Sequence, residues 1–102
     1  MFGMFGGSTQ IDCPEARRMV QDKGAQLVDV RSPAEYASGT LPGSLNIPVQ
    51  AIQQAGMRLD RAKPVIVYCM SGARSAQAQS VLKQMGFNDV HNLGSISKYL
   101  SC

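Results

Sequence analysis

Cys69 closes an apolar stretch and is followed by Met70-Ser71-Gly72-Ala73-Arg74-Ser75, which leads into a run of good helix formers. A thiol becomes a strong nucleophile once it loses its proton. Helix N-termini and nearby cations lower a cysteine's pKa from about 8.5 to ~3.5–7.5. A short loop of these residues can aim backbone N–H groups inward, from Met70 through Ser75, and form an anion cradle with the helix dipole. Gly72 tolerates positive φ and has no side chain to block the cradle. Arg74 places a fixed charge at the rim, and Ser71 and Ser75 bring hydroxyl donors. The predicted chemistry is covalent nucleophilic catalysis by Cys69, with Met70, Ser71, Gly72, Ala73, Arg74 and Ser75 around the substrate. A free cysteine that ends a strand is more often a small buried hydrophobe, but the glycine, arginine and helix start at these spacings favour the nucleophile.

Other chemically capable residues lack such company. Asp29 and Arg31 stand at a predicted strand end, and Arg31 pairing with Asp29 or Glu35 to hold the next helix is a structural role. His91 has no neighbour that would make it a base. Cys13, Cys69 and Cys102 are odd in number and widely spaced, so neither a disulfide framework nor a C-x-x-C redox pair is expected. Cys13, at a helix start, is read as structural, and Cys102 as an exposed terminal thiol. With one histidine and no close cysteine pair, no metal site is expected.

The elements that must position the loop follow from local signals. Asp12, Pro14 and Glu15 resemble a capping box for a helix bearing Ala16, Met19 and Val20, stopped by Gly24. Gln26 to Val30 predicts a buried strand. Ser32-Pro33-Ala34-Glu35 predicts a second capping box, with Gly39 closing the short helix. Leu41-Pro42-Gly43 predicts a turn, Ser44 to Ile47 a brief strand, and the segment from Pro48 through Gln54 a short helix. Pro64 to Tyr68 predicts a β-branched strand, and Ser75 to Met85 a helix ended by Gly86. Asp89 to Asn92 predicts a last strand, with Gly94 breaking the chain before a helical turn through Tyr99. Strands alternating with helices predict an α/β fold with a parallel sheet covered on both faces.

At 102 residues the chain has room for one domain, taken as 8–102 after a flexible Gly-rich segment 1–7. A formal charge of +3 favours small anions or acidic surfaces over neutral partners. Scattered basic residues, no Trp and only three Tyr and three Phe argue against nucleic-acid binding. The opening M-F-G-M-F-G-G has no positive n-region or sustained apolar run, and no later stretch spans a membrane. A cytoplasmic protein is expected, although a mature periplasmic chain would look the same.

The loop C-M-S-G-A-R-S, from Cys69 to Ser75, resembles the active loop of the rhodanese family, which runs from a nucleophilic Cys to an Arg. The resemblance extends to L-V-D-V-R-S-P-A-E-Y at Leu27 to Tyr36, G-T-L-P-G-S-L-N-I-P at Gly39 to Pro48, and N-L-G-S-I-S at Asn92 to Ser97. It implies a three-layer α/β/α domain with a five-stranded parallel sheet. It also implies transfer of sulfane sulfur through a Cys69 persulfide, without a cofactor. The donor it implies is a small anion such as thiosulfate, and the acceptor a thiol, cyanide or a protein. Two departures are visible: Thr40 stands where the family often has His, and Tyr99 where it often has Trp. Related phosphatases and arsenate reductases also surround an oxyanion with Cys and Arg, but their loop has five intervening residues, whereas Cys69 and Arg74 have four. A sulfur-carrier or regulatory module acting with a protein partner is the alternative from another class.

Overall fold

The computed structural model describes residues 10–102; the predicted flexible segment 1–7 lies outside them. Helix α1 (Cys13–Lys23) starts where the Asp12 carboxylate accepts the Glu15 N–H at 2.9 Å, and ends at Gly24, whose φ of 65° turns the chain out. Strand β1 (Gln26–Asp29) follows, then α2 (Pro33–Ala37), whose capping box is present in full between Ser32 and Glu35. Next come β2 (Leu45–Asn46), a 3₁₀ segment (Val49–Gln54) and α3 (Ala55–Arg58). The second half consists of β3 (Val65–Cys69), α4 (Ala73–Gln84), β4 (Val90–Ser95) and α5 (Ile96–Leu100).

All strand pairings are parallel, in the order β2-β1-β3-β4. The sheet has four strands among the described residues where five were expected. At the outer edge of β4 the described residues show one bridge, Gln10 to Asn92, extended by the Ile11 N–H donating to Asn92 O at 3.0 Å. The pairing cannot continue forward, because Asp12 immediately caps α1.

Alternation along β3 divides the core into two layers. Val65, Val67 and Cys69 face Ile52, Ala55, Leu59, Ala78 and Leu82 from the 3₁₀ segment, α3, the residue after it and α4. Ile66 and Tyr68 face the opposite way, toward Cys13, Ala16 and Met19 of α1 and Ile96 and Tyr99 of α5. The result is the expected α/β/α sandwich. Among the described residues no helix is long and apolar enough to cross a membrane.

Two boundaries depart from expectation. Strand β4 does not stop before Gly94. It runs through it with a register shift, so that Asn92 pairs with Val67 while Gly94 pairs with Tyr68, leaving Leu93 as the extra residue of a bulge. Gly94 absorbs the bulge with φ 91°. The segment after Pro48 is 3₁₀ in character, with a kink at Ala51, before one α-helical turn carries it on to Arg58.

Candidate active site

Cys69 is the last residue of β3, and only Met70, Ser71 and Gly72 separate it from α4, which begins at Ala73, two residues earlier than expected. The early start follows from Gly72. Its φ of 103° folds the chain back at once, and its carbonyl accepts the Ala76 N–H at 3.0 Å. The same fold-back aims the Gly72 N–H at the Cys69 sulfur, 2.9 Å away. The Ser75 hydroxyl donates to Gly72 O at 3.0 Å and lies 3.5 Å from Sγ, accepting from the thiol when that is protonated.

Cys69 and Ser75 are fully buried. Burial pushes the thiol pKa up, but the Ser75 hydroxyl and the amides of Ser75, Gly72 and Ser71 together outweigh it, and the net displacement is downward. The donors thus offset the desolvation that would otherwise keep the sulfur protonated. Because Cys69 has no exposed surface, any reagent reaches it only as rim residues shift. Met70, Ser71 and Ala73 are exposed around it.

Arg74 is placed differently from the expected free rim charge. Its guanidinium forms a two-pronged bond to Glu35, 2.8 Å to Oε1 and 3.1 Å to Oε2, which ties the first turn of α4 to α2. Glu35 also accepts the Ser32 N–H at 2.9 Å. Arg74 first, and this cap second, hold its carboxyl down to about 2. Glu35 was legible in the sequence as a cap, and nothing local signalled its second bond, 39 positions away.

Asp29 and Arg31 form the structural pair that was expected, with Asp29 rather than Glu35 as the partner. The buried Asp29 carboxylate receives Arg31 Nη2 at 2.7 Å, Arg31 N at 2.9 Å and the Thr40 hydroxyl at 2.8 Å, while Arg31 Nη2 also donates to Gly39 O. Thr40 therefore has a defined role where the family often has His: it links Asp29 to the Tyr68 hydroxyl, 2.7 Å away. Tyr99 has its own compensation, with the Arg17 guanidinium stacked 4.2 Å from its ring centroid. His91 pairs with the Asp89 carboxylate at the surface, away from the loop.

The cysteine expectation needs correction. Cys13 and Cys102 form a disulfide, leaving Cys69 as the free thiol. Cys102 is therefore not a free terminal thiol. The helices α1 and α5 pack on the same face of the sheet, bringing the two Cα atoms to 6.2 Å across 89 positions of sequence. An odd count and wide spacing carry no information about such a closure.

With this geometry established, the similarity to known proteins is direct. The model of the rhodanese-like domain matches residues 12–102. The chain belongs to the rhodanese-like family. A sulfurtransferase of Allochromatium vinosum is 38% identical over 78 residues, covering 76% of this chain and 73% of that protein. The human thiosulfate:glutathione sulfurtransferase is 32% identical, covering 84% of this chain and 87% of that one. Among solved structures, a human single-domain sulfurtransferase superimposes with a TM-score of 0.75 at 30% identity, over 90% of this chain and 95% of its own. A rhodanese-like domain thus accounts for the sandwich and for the position of the loop at the carboxyl end of β3, where open α/β sheets bind ligands.

Proposed function

We propose that this rhodanese-like chain is a sulfurtransferase that carries sulfane sulfur on Cys69, with thiosulfate as donor and a thiol, cyanide or a protein as acceptor. The observation that carries the proposal is the Gly72 N–H 2.9 Å from a buried sulfur at the N-terminus of α4. The relatives named as sulfurtransferases support the class, and the name of the human relative supports thiosulfate as donor and a small thiol such as glutathione as acceptor.

In the proposed cycle the Cys69 thiolate attacks the outer sulfur of thiosulfate. The sulfur–sulfur bond of the donor breaks, and sulfite leaves with its electron pair. The resulting persulfide holds its charge on the terminal sulfur, which the amides of Ser71, Gly72 and Ser75 and the Ser75 hydroxyl stabilise as they did the thiolate. An acceptor nucleophile then attacks that terminal sulfur and the Cys69 thiolate departs, restored. Neither step moves a proton to or from Cys69, so no separate base is needed.

The four residues between Cys69 and Arg74 support this role over phosphoryl or arsenate chemistry, whose loop has five. The Arg74 guanidinium is bonded to Glu35, which ties the first turn of α4 to α2. Its task here is to fix the start of α4.

The test is Cys69→Ser. A serine hydroxyl is hardly ionised at neutral pH and holds no persulfide, so thiosulfate–cyanide turnover should fall to background while the circular dichroism spectrum and melting temperature stay close to those of the parent. Turnover near the parental rate in a folded Cys69→Ser protein would contradict the proposal.

A further inference from the structure

The loop is touched by a side chain from outside it. Gln10, the residue bridged to Asn92, lays its carboxamide over two glycines at once. A Cβ built on Gly94 would lie 2.5 Å from Gln10 Oε1, and one built on Gly72 would lie 2.9 Å from Gln10 Nε2. The Gly72 Cβ position is also 3.4 Å from the Gly94 Cα, so the loop glycine is packed between the bulge of β4 and the Gln10 amide. Lys98, on α5, holds that amide in place. Its ammonium donates to Gln10 Oε1 at 3.0 Å and to Ile11 O at 3.2 Å.

We propose that Gln10 and Lys98 form a clamp that holds the Gly72 amide against the Cys69 sulfur, making both of them positioning residues for the thiolate. The proposal rests on Cys69 being the reactive sulfur. Its physical basis is that glycine has the least conformational restraint of any residue, while a hydrogen bond weakens steeply as its length and angle depart from the optimum. A donor carried by Gly72 is therefore only as well aimed as its surroundings make it. The Lys98–Gln10 bond is exposed and so adds little to global stability. Its effect falls instead on the aim of one N–H.

The charged groups around the sulfur are Arg74 and Glu35 on α4 and α2, the Asp29–Arg31 pair at and just beyond the end of β1, and Lys98 on α5. Only Lys98 changes in the test. The measurement is the rate of Cys69 alkylation by iodoacetamide against pH, with the Cys13–Cys102 disulfide intact, in the parent, Gln10→Ala, Lys98→Met and Lys98→Arg. The parent curve should be centred below the ordinary thiol value of about 8.5. Gln10→Ala and Lys98→Met should both move it up by roughly half to one unit, which slows alkylation roughly three- to tenfold at pH values below the midpoints. Lys98→Arg, which keeps a donor to Oε1, should stay near the parent, and melting temperatures should change little throughout. Curves of Gln10→Ala and Lys98→Met that overlay the parent would overturn the clamp and leave the Cys69 assignment standing. A shift in Lys98→Met alone would also overturn it, since the lysine would then act by its charge. A parent curve centred at the ordinary value would overturn the Cys69 assignment itself.

Discussion

Ser75 has one hydroxyl hydrogen and two acceptors within reach. It donates to Gly72 O, while its oxygen accepts from the Cys69 thiol. When the sulfur ionises it becomes an acceptor only, and the hydroxyl hydrogen can turn toward it. A hydrogen bond to an ionised group is worth ~1.5–3 kcal/mol, and the 3.5 Å separation puts this one at the weak end. Ser75→Ala should therefore raise the midpoint of Cys69 alkylation by about one pH unit, because a raised pKa leaves less thiolate below it. An unmoved midpoint would mean that the backbone amides alone hold the charge. The juxtaposition of Cys69, Gly72 and Ser75 was legible in the sequence because it follows from spacing along one short segment. The Glu35 partner of Arg74 was not, since Glu35 already had a local purpose as the partner of Ser32. Gln10 and Lys98 gave no signal either, being ordinary polar residues brought together from opposite ends of the chain, 88 positions apart.

The joint between β3 and α4 depends on Gly72 in two ways, through its backbone angle and through the space that Gln10 occupies. A residue with a Cβ at φ 103° is strained, at a cost of about 1–2 kcal/mol, and its methyl group would also displace the Gln10 amide. Gly72→Ala should lower unfolding stability by at least that amount in urea titration and slow sulfur transfer as the amide is pushed off the sulfur. Parental stability in Gly72→Ala would show that the turn relaxes to negative φ at no cost. The N-caps at Asp12 and Ser32 were legible because a cap is a local exchange of hydrogen bonds, with the full box formed at Ser32 and Asp12 accepting the Glu15 N–H alone. Gly94 was misread as a break because a glycine that ends a strand and one that carries a bulge look the same in sequence. The early start of α4 was missed for a similar reason: Gly72 was assigned to the cradle, while it also caps the helix.

The covering of the sheet on both faces was legible in the alternation of strands with helices, and the α/β/α sandwich in the resemblance to the family. The strand order, the Gln10–Asn92 bridge at the edge of β4 and the Cys13–Cys102 bond were not, because each depends on contacts between distant segments. The disulfide closes almost the whole chain into a loop, and such bonds persist in oxidising surroundings and are rare in mesophile cytosol. It also leaves one thiol to carry sulfur. Intact mass spectrometry of the unreduced protein, before and after mixing with thiosulfate, tests the persulfide cycle most directly. The starting mass should be that of a chain with one disulfide. Thiosulfate should add the mass of one sulfur atom at Cys69, and cyanide should then remove it. An adduct that retains the whole donor, sulfur found on Cys13 or Cys102, or no gain in mass with any sulfane donor would contradict the account.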